Sequence, residues 1–190
     1  PDFNTPDEVV EGYYVEKDVN GNTTAIVDSA EGLIAIAQEI EAGNIPLNAT
    51  IELCEDIDLS VLTRTVESNW TPIGTEENPF IGTFDGRGRS IKNLALVEAE
   101  AKEGKAFIGF FGYAKNATIK NVTFENVYIN IPCLDIDHSQ GHIGAVAGSL
   151  EGTSTIENVT VKGDIKVEAT VEANGASRVA VVAGGNSYGD

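Results

Sequence analysis

The sequence predicts an all-β chain of stacked, repeating strands, and three observations predict it. A hexamer recurs as Ile91-Lys92-Asn93-Leu94-Ala95-Leu96, Ile119-Lys120-Asn121-Val122-Thr123-Phe124 and Ile156-Glu157-Asn158-Val159-Thr160-Val161. Its copies are unequally spaced while the pattern inside them holds, as expected of stacked coils joined by loops of variable length. The chain also holds 20 glycines with only 7% aromatic residues, a composition that suits tight turns repeated many times.

The hexamer has a physical reading. Apolar residues stand at its first, fourth and sixth positions, where strict strand alternation would place them at the first, third and fifth. Asn sits where the parity breaks, and Asn is the non-glycine residue that most readily takes the left-handed conformation. Each hexamer is therefore two short strands meeting at a bend. Stacking the bends aligns Asn93, Asn121 and Asn158, whose amides can bond along the stack as a structural ladder.

The elements follow in order. Residues 1–12 read as a loose acidic lead-in. Tyr13 to Val19 and Thr23 to Val27 flank Asn20-Gly21, a two-residue hairpin turn, so residues 1–27 form lead-in and hairpin. Asp28-Ser29-Ala30-Glu31 has capping-box spacing, Leu33, Ile36, Ala37 and Ile40 follow at helical offsets, and Gly43 suits the stop. That places a helix within 28–48, and a stack of coils needs its open end covered, so helix and hairpin are read as the N-terminal cap. Coils fill 49–190. Thr50-Ile51-Glu52-Leu53 and Asp56-Ile57-Asp58-Leu59 alternate as first-coil strands. Residues 60–69 read as an excursion loop, and Trp70-Thr71-Pro72-Ile73-Gly74 with Asn78-Pro79-Phe80-Ile81-Gly82 as a packed turn.

Several of these stretches resemble the GLUG-motif family of bacterial surface proteins. They are Trp70-Thr71-Pro72-Ile73-Gly74, Phe80-Ile81-Gly82-Thr83-Phe84-Asp85-Gly86-Arg87-Gly88, Ile91-Lys92-Asn93-Leu94 and Ile108-Gly109-Phe110-Phe111-Gly112-Tyr113. Gly109-Phe110-Phe111-Gly112, Gly144-Ala145-Val146-Ala147-Gly148 and Val181-Val182-Ala183-Gly184 fill the family's glycine-flanked segment, with Ala180 departing from the pattern where the second copy has Gly144. The resemblance covers roughly residues 28–190 and implies a right-handed single-stranded parallel β-helix with an N-terminal capping helix and hairpin. It is specific for fold rather than for activity, because the motif is structural.

Composition narrows the function. A formal net charge of −18 opposes binding to nucleic-acid phosphates or anionic lipid. No apolar run is long enough to span a membrane. The chain opens at Pro1 without Met or leader, so localisation cannot be read from its start, and no C-terminal cap is visible before Asp190. A longer parent chain is the expectation, the alternative being an open end that meets a partner. Cys54 and Cys133 are the two cysteines, read as small buried hydrophobes rather than a bridge. Asn-x-Thr sequons, among them those at Asn22, Asn48, Asn116, Asn121 and Asn158, are read as incidental.

The polar clusters each have two readings. Asp85, Arg87 and Arg89 could flank a sugar acid, as in a polysaccharide lyase, yet Asp-Gly-x-Gly is also a tight turn whose glycines supply positive φ. Asp135, Asp137, His138 and His142 could hold a cation, but they lack the glycine and distal Glu of a calcium loop. Glu55, Asp56 and Asp58 could serve glycoside hydrolysis, but nothing gives one of them the apolar pocket that would raise its pKa. Expected, then, is a monomeric, non-enzymatic extracellular or cell-surface module for adhesion or binding to a host or microbial glycan or protein. No metal or cofactor is required, though the acidity leaves room for divalent cations, Ca²⁺ among them. The alternative is a polysaccharide lyase or glycoside hydrolase on the same scaffold.

Overall fold

The computed structural model describes residues 12–62, 68–97, 106–133, 140–171 and 176–187. Most of the lead-in, the centre of the loop at 60–69, and the candidates Asp135, Asp137 and His138 lie outside the described residues.

Among the described residues the chain is mostly β with one α-helix, and its pairings are mixed. It opens with β1 (Tyr13–Lys17) and β2 (Thr23–Val27), which pair antiparallel. The connection is a five-residue loop rather than the two-residue turn expected at Asn20-Gly21. Asp18 decides this, because its carboxylate accepts from the backbone of Asn20 and Asn22 and from the Asn22 amide.

Next comes α1 (Ala30–Glu41). Its N-cap is Ser29, whose Oγ accepts from the Gly32 amide at 3.0 Å, one residue on from the expected Asp28–Glu31 box. The helix closes on Gly43 (φ 79°), with Gly43 N–H bonded to Ile40 C=O and Asn44 N–H to Glu39 C=O. These two bonds are a Schellman pair and satisfy the last carbonyls. Leu33, Ile36, Ala37 and Ile40 are buried, all in the common core.

From here every named strand pair is parallel. β3 (Thr50–Leu53), β4 (Ile57–Asp58), β5 (Thr83–Asp85), β6 (Ser90–Lys92) and β7 (Ala95–Val97) come first. A 3₁₀ turn, Leu59–Leu62, follows β4. Then come β8 (Ala106–Ile108), β9 (Phe111–Lys115), β10 (Thr118–Cys133), β11 (Gln140–Gly144) and β12 (Ala147–Glu151). The last are β13 (Thr155–Val171), β14 (Ala176–Ala180) and β15 (Ala183–Ser187). The long β10 carries β5, β6 and β7 along one edge and β13 along the other, in one sheet of nine strands. Two smaller sheets read β14-β11-β8 and β15-β12-β9.

Register turns sequence alternation into columns. Ala25, Ile51, Phe84, Ile119 and Ile156 lie over one another, as do Ile57, Ile91, Phe124 and Val161, and Leu96, Ile129 and Val167. These inward columns form one apolar core. Its centre is aromatic. Trp70 stacks on Phe110 with centroids 4.5 Å apart and planes 5° from parallel, while Phe84 and Phe124 meet Phe110 edge-on. Such pairs add about 0.5–1.5 kcal/mol each beyond area burial. The Trp70 indole N–H, buried with them, donates to the Phe110 carbonyl at 2.8 Å.

The glycine-flanked segments mark the corner between the two small sheets. A side chain on Gly144 would run into the carbonyls of Ala147 and Val182, and one on Gly109 into those of Gly144 and Phe111. Backbone passes backbone there too closely for any Cβ.

Candidate functional site

The cluster Asp85, Arg87 and Arg89 begins at the end of β5 and is built by a turn. Arg87 (φ 51°) and Gly88 (φ 80°) both take positive φ, and Arg89 N–H returns to the Gly86 carbonyl at 2.8 Å. This is a type I′ geometry, which glycine enters without strain and Arg87 does not. Asp85 holds it, its Oδ1 accepting from the Arg87 amide at 2.9 Å. The turn is also pinned to β10, through Gly86 N–H to Lys120 C=O and Gly88 N–H to Asn121 C=O.

Every charge in the cluster has a partner. Arg87 pairs with Glu52 at 3.4 Å, Arg89 with Glu55 at 3.9 Å, and Lys120 with Asp85 at 3.4 Å. Partial burial raises the Asp85 carboxyl, but the Arg87 amide, the Asn121 amide and Lys120 outweigh it and hold it below the ordinary carboxylate value. A general acid needs the opposite displacement. The second acidic cluster is engaged in the same way. Asp56 accepts from Ser90 N–H at 2.9 Å, and Asp58 from Asn93 Nδ2 at 2.7 Å and from Ser60 N–H and Oγ. Burial raises Asp58, and the Asn93 and Ser60 hydrogen bonds with Lys92 carry it down again.

The asparagines expected in one ladder divide between two. Asn158 Nδ2 donates to Asn121 Oδ1 at 3.2 Å, and Asn121 Nδ2 to Asp85 Oδ1 at 3.1 Å. Asn93 stands elsewhere, bonded to Asp58 and approached by Asn126 Nδ2 at 3.5 Å. Asn126 in turn accepts from Asp164 N–H at 3.0 Å, across a bulge in the β10–β13 register. All four asparagines have φ between 52° and 60°. Sequence reasoning missed Asn126, although Phe124-Glu125-Asn126-Val127-Tyr128-Ile129 carries the same apolar-x-Asn-apolar-x-apolar pattern as the hexamer at 91–96. It also missed Asn69, a buried amide that donates to the Leu59 and Asn93 carbonyls and accepts from Ala95 N–H.

Other candidates are placed more simply. His142 lies on β11 opposite Phe107, with rings edge-to-face at 5.1 Å. Cys54 is a free thiol whose Sγ donates to the Val27 carbonyl. Tyr113 is buried, and burial, with the hydrogen bond and charge of Glu151 and the charge of Glu76, raises its phenol. Among the described residues no three His, Cys, Asp or Glu side chains converge as metal ligands. No helix among them is long and apolar enough to cross a membrane. Two open grooves stand out. One, of about 470 Å³, lies between the end of α1 and Thr71–Thr75; the other, of about 510 Å³, runs over Asn93, Asn126, Tyr128 and Lys166.

The chain is similar to known proteins in three respects. Residues 139–166 match the family described as the GLUG motif. Over 142 residues, 70% of the chain, it is 30% identical to halomucin of Haloquadratum walsbyi, of which it covers 1%. Over 112 residues, 58% of the chain, it is 28% identical to a protein of Evansella cellulosilytica named "Putative Gly-rich membrane protein", of which it covers 12%. The chain thus spans a small part of the curated relatives it matches. No solved structure matches it. The matched segment begins just before β11 and ends inside β13, so Gly144, Asn158 and the bulge at Gly163 fall within it while Gly109 precedes it, and the chain carries the GLUG motif.

Proposed function

We propose that the chain is a non-enzymatic module of a larger extracellular or cell-surface protein, wound as a right-handed parallel β-helix, and used for adhesion or for binding a surface glycan or protein. The parallel pairing of strands far apart in sequence supports the winding, and right-handed crossovers are the rule for parallel strands. The GLUG motif and the membrane protein among the relatives support the setting.

The observation that carries the non-enzymatic reading is the pairing of the polar residues. Asp85, Arg87, Arg89, Glu55, Asp56 and Asp58 engage neighbouring strands or their own turns. Both aspartates with a displaced carboxyl among them are held as anions. A lyase or glycosidase needs at least one group poised to move a proton. Outward-facing columns on a stiff stack supply instead an extended flank for contact.

The test is a paired assay of the 190-residue chain on arrayed glycans and on acidic and neutral polysaccharides. Expected is retention on a subset of glycans with no new reducing ends or unsaturated products. Polysaccharide cleavage that disappears when Asp85, Arg87 and Arg89 are changed to alanine would overturn the reading in favour of an enzyme.

A further inference from the structure

The row of strands β9, β12 and β15 is preceded by Ile73 and Phe80, which bridge parallel to Phe111 and Ala114. Among the described residues no strand pairs with Ile73 on its other side. The end of α1 stands there instead, and strand-like pairing resumes only at Leu47, whose carbonyl accepts from Ile81 N–H at 3.0 Å. Between them lies the groove of about 470 Å³ described above. Its walls come from residues 37–47 and 71–78, all internal to the chain.

The backbone on that side of Ile73 is unspent. Ile73 N–H donates to Phe110 C=O at 3.1 Å, and Ile73 C=O accepts from Gly112 N–H at 2.9 Å. The C=O and N–H of a trans peptide point opposite ways, and the described peptides are all trans. Pro72 C=O shares a peptide with Ile73 N–H, and Gly74 N–H shares one with Ile73 C=O. Both therefore point away from β9. Pro72 and Gly74 line the groove, and neither of these two groups has a hydrogen-bond partner among the described residues. An acceptor and a donor flanking one residue on a free edge are what a single residue of an added strand bonds.

The walls state the chemistry of the occupant. Ile40, Ile45 and Ile73 are buried and give an apolar floor. Glu41 is the single charged residue in the lining. It sits at the negative end of a helix that has no basic residue in its last turn. Glu76 and Glu77, both exposed, follow Thr75 on the opposite wall.

We propose that this groove is a strand-addition site and that its occupant is an extended peptide of a partner protein, alternating aliphatic and basic side chains. Alternate side chains of a strand point to opposite faces, so the aliphatic ones meet the isoleucine floor and the basic ones reach Glu41 and the acids after Thr75. Backbone bonds to Pro72 and Gly74 fix the register. This goes beyond the flank contact proposed above, and the two fail separately, because retention of a glycan on the flank does not involve the groove.

The test is fluorescence anisotropy of the 190-residue chain with a labelled hexapeptide alternating valine and lysine, in about 0.15 M salt so that diffuse attraction to an acidic chain is screened. Saturable binding is expected. Glu41→Lys, which suits that end of the helix, is expected to weaken it about tenfold, and Thr71→Tyr, a plug at the exposed mouth, by at least as much. Circular dichroism checks that each variant folds. The same peptide methylated on its backbone nitrogens is expected to bind at least about fivefold more weakly, and a valine–glutamate hexapeptide not to bind. Absence of saturable binding, binding indifferent to Thr71→Tyr or to Glu41→Lys, equal binding of the methylated peptide, or equal binding of the acidic one would each overturn the proposal.

Discussion

Asn93 Nδ2 reaches Asp58 Oδ1 at 2.7 Å, the shortest rung of either asparagine column, and this bond places Asn93 one bend away from Asn121. Each column starts on a carboxylate, Asp58 in one and Asp85 in the other, and continues through amides on later strands. A carboxylate only accepts, so it fixes which way every amide above it must face.

That division predicts a pattern of coupling. Glycine at these positions keeps the positive φ and removes the amide, which isolates the rung from the backbone. Asn121→Gly and Asn158→Gly, whose side chains bond each other, are expected to be non-additive by about 0.5–1 kcal/mol in a urea-unfolding cycle. Asn93→Gly combined with Asn121→Gly is expected to be additive. Coupling between Asn93 and Asn121 equal to that between Asn121 and Asn158 would contradict the two columns.

How far the sequence disclosed this arrangement depends on the residue. The bends were legible, because a break in apolar parity at an Asn has few explanations other than a left-handed corner, and Asn93, Asn121 and Asn158 are all such corners. Which bend lies on which was not. The hexamers at 91–96 and 119–124 look alike, yet the register pairs Ile91 with Phe124 and leaves Ile119 over Phe84. Register is a choice between near-equal alternatives until the core volumes decide it. Trp70 and Phe110 illustrate this, because they stand 40 positions apart with no local sign that their rings stack. Asp85, Arg87 and Arg89 were legible as a turn. The partners of the two arginines, Glu52 on β3 and Glu55 just after it, come from a stretch whose alignment the sequence left open.

The two column-starting carboxylates predict an acid limb. Asp58 and Asp85 both sit below the ordinary value of 3.8 in the folded chain. A depressed folded pKa means the stabilisation is fully present above the unfolded value and is lost as pH falls through the folded one. Stability should therefore decline below about pH 4. Asp58→Asn and Asp85→Asn keep an acceptor oxygen but remove the titration, so each variant should be weaker than the parent at neutral pH and converge on it in acid. Thermal melts of parent and variants from neutral pH down to acid would check this, and a constant difference across that range would count against it.

The glycines separate into two kinds that one substitution tells apart. Gly88 has φ 80° with nothing near its missing Cβ, so Gly88→Ala meets only backbone strain of about 1–2 kcal/mol. Gly144 has an ordinary φ, but its missing Cβ would strike the Ala147 and Val182 carbonyls, so Gly144→Ala must push strands apart. Overpacking of this kind costs about 1–3 kcal/mol where side chains can yield, and backbone yields less. Gly144→Ala should therefore lower Tm more than Gly88→Ala. The reverse order would contradict the close approach of chains at the corner.

Trp70 offers the sharpest test of the core, because its ring and its N–H can be separated. Trp70→Phe keeps a stacked ring over Phe110 but removes the indole donor to the Phe110 carbonyl, which still accepts from Ile73 N–H, so a cost of about 0.5–1.5 kcal/mol is expected. Trp70→Ala loses both and adds a cavity among Phe84, Phe110 and their neighbours, for which about 3–5 kcal/mol is expected. Because Trp70 is the single tryptophan, its fluorescence in the parent reports the same site, and unfolding should shift it from a buried to a water-exposed emission in step with loss of β-sheet dichroism. If Trp70→Phe and Trp70→Ala were equally destabilising, the indole hydrogen bond would outweigh the packing, and the aromatic stack could not be the centre of this core.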